Sequence, residues 1–349
     1  MRRGLMGWNE ADLPLAALKQ RLSRLQAGLK REGLGGLIVY TNIARPAAAT
    51  FLSGFTPYWS EGLLFVPAAG EPIFATALSK RVAEWIRSVM PIGAIENTPR
   101  PAAAIARKLA EQNIGKVGVL ELDQFPAAQV ALLMGEGGAI AIEDATALFR
   151  SVRLRVDEAE IALVRRADDL ARHCLTTFNR GDDARRMASD IEARARLAGA
   201  EEVLVGINPD LSRSGAFLRS DRLGTVGRYF AIRLSLALKG SWVRRTITLS
   251  RDAEQQPQFA AADAAFARAL ASSSAPTAVK ALQHGFPGRI TAWTVEASIG
   301  SYPLEVVACS GGTGAFSGIV PISVVSAEAD LNGAKWQAAG PVMAEAPPE

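Results

Sequence analysis

The feature that most constrains the fold is an alternation of helix-like and strand-like segments over roughly the first 145 residues. Residues 15–33 place leucines at helical spacing and end at Gly33, and a short apolar run from Gly36 to Tyr40 follows at once. Three further apolar runs and an alanine-rich helical segment, Pro101 to Gln112, continue the pattern. Strands that alternate with helices in this way predict an α/β domain.

The second half of the chain has a different order of predicted elements, namely two helices, strands, two helices and strands. The helices are expected at residues 157–179, 182–198, 255–271 and 276–283, and the strands at 203–205, 229–238, 242–249, 290–295, 304–308 and 319–325. This order indicates a coarse internal duplication of structure that has no counterpart in the amino-acid sequence.

The boundaries of these patterns predict the domain organisation. We expect one domain at residues 1–147, a linker at 148–156 and a second domain at 157–335. The last segment, residues 336–349, contains Gly340 and several prolines, and we predict that it is a loose tail.

Composition excludes several classes of protein. The chain has 349 residues, 49% of them hydrophobic, which is enough for two cores and excludes a disordered chain. The net charge of +4 is too small to indicate a nucleic-acid or membrane partner. Cys174 and Cys309 are the two cysteines, which does not support a disulfide-stapled secreted scaffold, and no segment approaches the roughly 18 apolar residues of a membrane span. We therefore expect a cytoplasmic protein.

Two ordered motifs indicate a known family. Phe51 to Phe55 reads Phe-Leu-Ser-Gly-Phe, and Leu148 to Ile161 reads as a basic hinge followed by acidic residues. Together with the order of elements, these motifs make residues 15–330 resemble the creatinase/aminopeptidase P/prolidase family, the pita-bread enzymes. The resemblance implies an α/β protein with a creatinase-type N-terminal α/β domain followed by a reduced pita-bread (aminopeptidase P-like) α/β domain. It also implies a dimer.

The same resemblance implies where a metal pair would lie. Family peptidases hold two metal ions with two Asp, one His and two Glu, and the two Asp positions correspond here to Arg233 and Arg244. The whole segment Phe230 to Thr248 contains no Asp, Glu or His. A guanidinium has no acceptor and stays protonated near neutral pH, so it repels a cation instead of ligating it. We expect no metal and no other cofactor.

A metal-free branch of the family is represented by creatinase, and Val205 to Ser214 resembles the segment that carries its catalytic histidine. Asn208 and Asp210 agree with that segment, but the histidine position falls on Arg213. An arginine cannot exchange a proton at pH 7. The resemblance therefore does not imply creatinase chemistry in its known form.

The first functional hypothesis rests on a cluster of arginines in the sequence. Seven arginines lie between residues 213 and 245. Paired guanidiniums bind carboxylates and phosphates through forked hydrogen bonds. We predict a metal-free, non-peptidase homologue that binds a small anionic ligand, either as a homodimer or as a companion subunit of a related pita-bread protein. The alternative is that the arginines pair internally or extend into solvent. The expected ligand-binding residues are Arg213, Arg233, Arg244, Asn208 and Asp210.

Two other hypotheses remain open at this point. One is a metal-independent hydrolase or lyase of a small amino-acid-like or guanidino substrate, in which His284, Glu296 or Glu305 moves protons. His284 lies in a predicted turn, and a surface-loop histidine is the alternative for it. The other hypothesis is an Xaa-Pro aminopeptidase or dipeptidase whose metal ligands the sequence does not reveal. Whether the protein is an enzyme is therefore left undecided.

Three further motifs have structural alternatives. Asp168 and Asp169 lie on a predicted helix, and we expect them on a solvated face. The glycine-rich run Ser310 to Gly314 resembles an anion cradle but lacks the lysine and the following helix of a P-loop, which favours a hairpin connection. Tyr58 to Glu61 fits either an exposed loop or a segment that leans over a neighbouring subunit's cleft.

Overall fold

The computed structural model describes residues 8–57, 61–134, 140–219, 222–304, 308–310 and 320–344. The chain divides into two compact units, and the boundary lies between Ala159 and Glu160. Most of the segment expected as a linker, residues 148–156, is helical, and its Leu148 and Phe149 lie in the core of the N-terminal unit. The linker is therefore part of that unit.

The N-terminal unit combines six described strands with six helices. The strands are β1 Gly36–Thr41, β2 Gly62–Pro67, β3 Ile73–Thr76, β4 Ala94–Asn97, β5 Lys116–Val119 and β6 Ala141–Asp144. The helices are α1 Leu15–Arg31, α2 Ala47–Ser53, α3 Ala83–Val89, α4 Pro101–Glu111, α5 Ala127–Met134 and α6 Thr146–Arg153. The strand order is β4-β3-β2-β1-β5-β6, with β1 antiparallel to β2 and parallel to β5. The predicted α/β domain is confirmed.

The core of this unit follows from the spacing of its apolar residues. Leu18, Leu25 and Leu29 of α1 are fully buried, because residues three or four apart lie on one face of a helix. Helix α2 ends at Gly54, which has φ +72° and donates its N–H to the carbonyl oxygen of Thr50. This left-handed conformation favours glycine, and it ends α2 before the chain reaches β2.

The C-terminal unit combines seven described strands with four helices. The strands are β7 Glu202–Asn208, β8 Tyr229–Leu238, β9 Ser241–Ser250, β10 Arg289–Ala297, β11 Ala308–Cys309, β12 Ile322–Leu331 and β13 Ala334–Met343. The helices are α7 Glu158–Thr177, α8 Ala184–Leu197, α9 Gln256–Leu270 and α10 Ala275–Gly285. In the described residues all strand pairs of this unit are antiparallel, and the order is β11-β10-β12-β13-β9-β8-β7.

Strand β13 corrects the prediction of a loose tail from residue 336. It lies between β12 and β9 inside the sheet, and Trp336 is completely buried. The indole Nε1–H of Trp336 donates to Oδ1 of Asp263 in α9 at 2.9 Å. The prediction was wrong because Gly340 and Pro341 are ordinarily rare inside strands. Here β13 pairs with β9 only where Ala339 faces Thr246, so that ladder does not depend on an N–H from Pro341.

The C-terminal sheet buries one face under helices. Residues of β12 and β13, including Val325 and Trp336, share one hydrophobic core with α9 and α10. On the same face, Arg245 of β9 forms a bidentate ion pair with Asp168 of α7, with N–O distances of 2.6 and 2.8 Å. Asp168 is only 5% exposed, so the prediction that it lies on a solvated face is wrong.

The opposite face of this sheet is concave. Ser298, just beyond β10, donates its hydroxyl to the carbonyl oxygen of Trp242 in β9 at 2.8 Å, although β12 and β13 lie between those strands. The sheet therefore curves strongly, so that the end of β10 and the start of β9 approach each other across the two strands between them. In the described part of the chain, no helix is both long and apolar enough to cross a bilayer.

Candidate functional site

Strand register brings several polar side chains together on the concave face. Arg233 of β8 lies opposite Thr246 of β9, and Arg244 lies opposite Ser235. Residues directly opposite in antiparallel strands point to the same side, and side chains alternate along each strand. The same rule places Gln337 and Glu328 on this face, since they lie opposite each other on β13 and β12. The polar cluster comprises Arg233, Arg244, Thr246, Glu296, Glu328 and Gln337.

Arg244 and Glu296 form an ion pair within the polar cluster. The guanidinium Nη1 of Arg244 donates to Oε2 of Glu296 on β10, across the concave face. Both side chains keep contact with solvent, at 23% and 33% exposure, so water screens part of their attraction. The Nε atom of Arg244 is buried and has no hydrogen-bond partner in the described residues.

Arg233 differs from Arg244 because no carboxylate within the described ranges forms an ion pair with it. Its Cζ atom lies 3.9 Å from the ring centroid of Phe217, which is a cation–π contact. Burial, and after it the positive charge of Arg244, lower the pKa of Arg233. The guanidinium nevertheless stays protonated near neutral pH. Arg233 is therefore a partly buried cation that lacks a paired anion among these residues.

Gln337 is the buried amide of the polar cluster, with 6% exposure. Its Nε2 donates to Oε1 of Glu328 at 3.1 Å and to the carbonyl oxygen of Gly215 at 3.4 Å. Sequence reasoning missed this residue because it lies in the predicted tail. The signal that was available is the apolar–polar alternation of Ala334, Lys335, Trp336, Gln337 and Ala338, which is typical of a strand.

Four buried polar atoms of the cluster have no hydrogen-bond partner among the described residues. They are Nε of Arg233, Nε of Arg244, Oγ1 of Thr246 and Oε1 of Gln337. Buried polar groups are nearly always paired, and each unpaired one costs about 1–3 kcal/mol. Three of the four are donors or can act as donors, so together they favour an acceptor-rich group bound between them.

A loop at residues 209–219 covers one side of the polar cluster, and we call it the covering loop. Leu218 exchanges backbone hydrogen bonds with Ile207 of β7 at 2.8 and 3.1 Å. Asn208 donates its amide Nδ2–H to the carbonyl oxygen of Ser214 at 2.7 Å. The next residues supply the contacts of Gly215 and Phe217 with the cluster. The covering loop therefore places the Phe217 ring against the Arg233 guanidinium.

The other three predicted ligand-binding residues line a cavity separate from the polar cluster. Asn208, Asp210 and Arg213 line a cavity of about 460 Å³ whose described lining does not include Arg233 or Arg244. Oδ1 of Asp210 accepts hydrogen bonds from the N–H and hydroxyl of Ser212 at 3.0 and 2.6 Å. The structure thus brings Arg233, Arg244 and Glu296 together but does not place Arg213 beside them.

His284 also lies away from the polar cluster. It occupies the last turn of α10, which packs on the convex face through Val279 and Leu282. Its ring is exposed, and Nδ1 lies 2.8 Å from the carbonyl oxygen of Lys280. Glu305 lies outside the described residues, as do Gly311 to Gly314 and Tyr58 to Ser60, so the roles predicted for them stay predictions.

The donors of the concave face do not fit the metal pair that the fold family implies. No group of three or more His, Cys, Asp or Glu side chains able to hold a metal ion occurs in the described ranges. On this face, Glu296 is paired with Arg244 and Glu328 accepts from Gln337. Divalent cations need several anionic oxygens or neutral imidazoles, and here two guanidiniums stand in their place.

Comparisons with known proteins agree with this architecture. Residues 21–155 match the family model described as Creatinase/Prolidase N-terminal domain. The fold is similar to an Xaa-Pro dipeptidase from Bacillus anthracis, with a TM-score of 0.65, 16% identity, and coverage of 94% of this chain and 95% of that one. An X-Pro aminopeptidase from Thermotoga maritima MSB8 gives 0.69 and 14%, with 92% and 96% covered. A prolidase from Pyrococcus furiosus gives 0.64 and 13%, with 93% and 96% covered.

The similarity to known proteins extends to the fold and, for the N-terminal domain, to a family model. No curated protein sequence matches the chain. The N-terminal match and the structural matches confirm the predicted fold, a creatinase-type N-terminal domain followed by a second α/β domain. Sequence identities of 13–16% show a shared fold only.

Proposed function

We propose that this chain, which has the fold of prolidase and aminopeptidase P structures, binds a small carboxylate-bearing anion at its polar cluster and is not a metal-dependent peptidase. The observation that carries the proposal is the pair Arg233 and Arg244 on one concave face. Each has a buried Nε–H without a partner among the described residues. A carboxylate supplies the acceptors that these donors lack.

The electrostatics of the cluster support an anion in preference to a neutral ligand. Arg233 and Arg244 carry like charges, and the charge of Arg244 lowers the pKa of Arg233. The charges of Glu296 and Glu328 act in the opposite direction, but neither carboxylate forms an ion pair with Arg233 in the described residues. A bound carboxylate supplies that direct pair and relieves the repulsion. The ring of Phe217 contacts the Arg233 guanidinium but carries no net charge. This contact therefore does not neutralise Arg233.

The arrangement supports a binding role more than a hydrolytic one. A hydrolase needs a group that gives up and accepts protons within reach of the bound ligand. Glu296 is the predicted acid–base residue on this face, and its carboxylate already pairs with Arg244. His284 belongs to a helix on the convex face. We therefore propose a companion or regulatory subunit, either a homodimer or a heterodimer with a related pita-bread protein.

Thermal unfolding with and without small anions tests this function. Wild type, Arg233→Ala and Arg244→Ala are heated with carboxylates, phosphates and guanidino acids. At 100 times its dissociation constant, a ligand stabilises the folded state by about 2.7 kcal/mol, which gives a measurable rise in Tm. We expect the rise with a carboxylate in wild type and its loss in both variants.

An exposed arginine supplies the matched control. Arg228→Ala removes an arginine that pairs with Asp252 and is 67% exposed, and we expect it to keep the ligand-induced rise in Tm. The proposal is wrong if no anion stabilises the wild type. Elemental analysis of the purified protein adds a separate check, because a stoichiometric divalent metal would contradict a metal-free site.

A further inference from the structure

The orientation of the Gln337 amide is determined by its neighbours. The carboxylate of Glu328 and the carbonyl oxygen of Gly215 are acceptors only, and both lie within hydrogen-bond distance of one end of the amide. That end must be the NH₂ group. The other end is therefore the oxygen Oε1, which is buried and unpartnered within the described residues. Gln337 thus contributes a buried, unpaired acceptor to the polar cluster.

This acceptor lies in the same part of the sheet as the arginines. Gln337 is two residues from Ala339, which lies opposite Thr246, and Thr246 lies opposite Arg233. Adjacent strands are about 4.8 Å apart, so Arg233 and Gln337 start from the same face about two strand spacings apart, with Thr246 on the strand between them. The Thr246 hydroxyl, also buried and unpartnered in the described chain, can donate or accept.

We infer that the anion bound at the polar cluster is a carboxylate that also carries a hydrogen-bond donor, a hydroxyl or an amine. Its carboxylate pairs with Arg233 and Arg244, and its donor pairs with Oε1 of Gln337. This inference rests on the proposed function and adds a substrate class to it. A plain carboxylate leaves the buried Oε1 atom unpaired and binds more weakly for that reason.

A matched set of three-carbon acids tests the inference by isothermal titration calorimetry on the full chain. Propionate lacks a donor, lactate and 3-hydroxypropionate carry a hydroxyl, and alanine and β-alanine carry an amine. We expect at least one donor-bearing acid to bind at least about tenfold more tightly than propionate. Comparison of the hydroxy acids with the amino acids shows which donor the site prefers.

Variants then assign the preference to Gln337. Gln337→Met keeps an unbranched side chain of similar length but has no amide. For this variant we expect the ratio of the dissociation constant of propionate to that of the preferred donor-bearing acid to fall to about one. Lys335→Met is the matched control on the same strand, because Lys335 is exposed and pairs with Asp330 at 2.8 Å. We expect this control to keep the full preference.

The outcomes separate the inference from the proposed function. Equal affinity of the wild type for propionate and all four donor-bearing acids overturns the inference while leaving the anion site intact. Failure of every acid to bind overturns both. A Gln337→Met protein that keeps the full preference and a wild-type Tm overturns the assignment to Gln337. If this variant does not fold, the wild-type series alone decides whether a donor is selected.

Discussion

Arg244 and Glu296 form an ion pair across the concave face of the C-terminal sheet, although β13 and β12 lie between their own strands. The pair exists because the sheet curves until residues near the start of β9 and the end of β10 approach each other, as the contact between Ser298 and Trp242 also shows. Glu296 thus engages one of the two guanidiniums of the polar cluster. Under the proposed function, Glu296 competes with the bound anion for Arg244.

Removal of that competitor should strengthen anion binding. For Glu296→Gln we expect the dissociation constant of a bound carboxylate to fall about two- to fivefold, because a partly exposed ion pair contributes up to about 1 kcal/mol. Glu254→Gln removes an equal charge from an exposed position and serves as the control. Weaker binding in Glu296→Gln would show that Glu296 contacts the ligand favourably instead of competing with it.

The ring of Phe217 should matter for binding through the position of Arg233. Phe217→Leu removes the cation–π contact, whose contribution is about 0.5–1 kcal/mol at exposed sites. We expect anion affinity to fall about two- to fivefold in titration calorimetry. Phe217→Tyr keeps an aromatic ring over the guanidinium and should bind like wild type. Equal losses in both variants would indicate that the covering loop, and not the ring, is the cause.

The stability of the protein should decrease as pH rises through the titration of Glu201. This carboxyl is 5% exposed, and although Oε1 accepts from the N–H of Gly240 at 3.1 Å, burial dominates and raises its pKa from 4.5 to about 7. Below pH 4.5 the group is protonated in both the folded and the unfolded state. Between pH 4.5 and about 7 only the unfolded state loses the proton readily, so the free energy of unfolding falls.

Denaturant unfolding at several pH values measures this effect. The rise in the pKa of Glu201 from 4.5 to about 7 corresponds to a loss of about 3 kcal/mol in the free energy of unfolding, which is complete above pH 7. Glu201→Gln carries no titratable group, so we expect its advantage over wild type to grow by that amount between pH 4.5 and pH 8. The exposed control Glu254→Gln should run parallel to wild type. A pH-independent difference between Glu201→Gln and wild type would contradict the prediction.

The ion pair under the sheet should contribute strongly to stability. Asp168→Ala leaves the Arg245 guanidinium without its bidentate partner at 16% side-chain exposure, and loss of one member of a buried pair costs about 3–5 kcal/mol. The side chain of the neighbouring Asp169 is 67% exposed, so Asp169→Ala should change the free energy of unfolding by less than about 0.5 kcal/mol. Urea unfolding of the two variants makes the comparison, and equal effects would contradict it.

Local pattern predicted most of the secondary structure. The leucine spacing of α1 predicts a helix, because burial of one helix face requires an apolar residue every three or four positions. The apolar runs of β1 and β2 predict strands that are buried on both faces. The absence of carboxylates and histidine between Phe230 and Thr248 is likewise a property of the sequence alone. The correspondence of Arg233 and Arg244 to the two Asp positions of a metal site is what the resemblance to the pita-bread family implies.

The neighbours of those arginines could not be predicted in this way. Asp168 was expected in solvent and Gln337 in a tail, yet one pairs with Arg245 and the other lies beside Glu328 in the sheet. Asp168 and Arg245 are 77 residues apart in the chain, and Gln337 and Glu328 are 9 apart. Local periodicity does not predict such contacts. Trp336 shows the same effect, because its burial against α9 outweighs the weak strand preference of the glycine and proline that follow it.

The sequence by itself determined the α/β order of elements and the arginine content of the segment from Phe230 to Thr248, which has no carboxylate or histidine. Only the tertiary structure decided which of those arginines meet. Arg233 and Arg244 converge because they face one side of a curved antiparallel sheet, while Arg245, one residue further, points to the other side and is neutralised by Asp168. Alternation assigns a residue to a face, but only the packing of helices on one side and the curvature of the sheet on the other decide which groups that residue contacts.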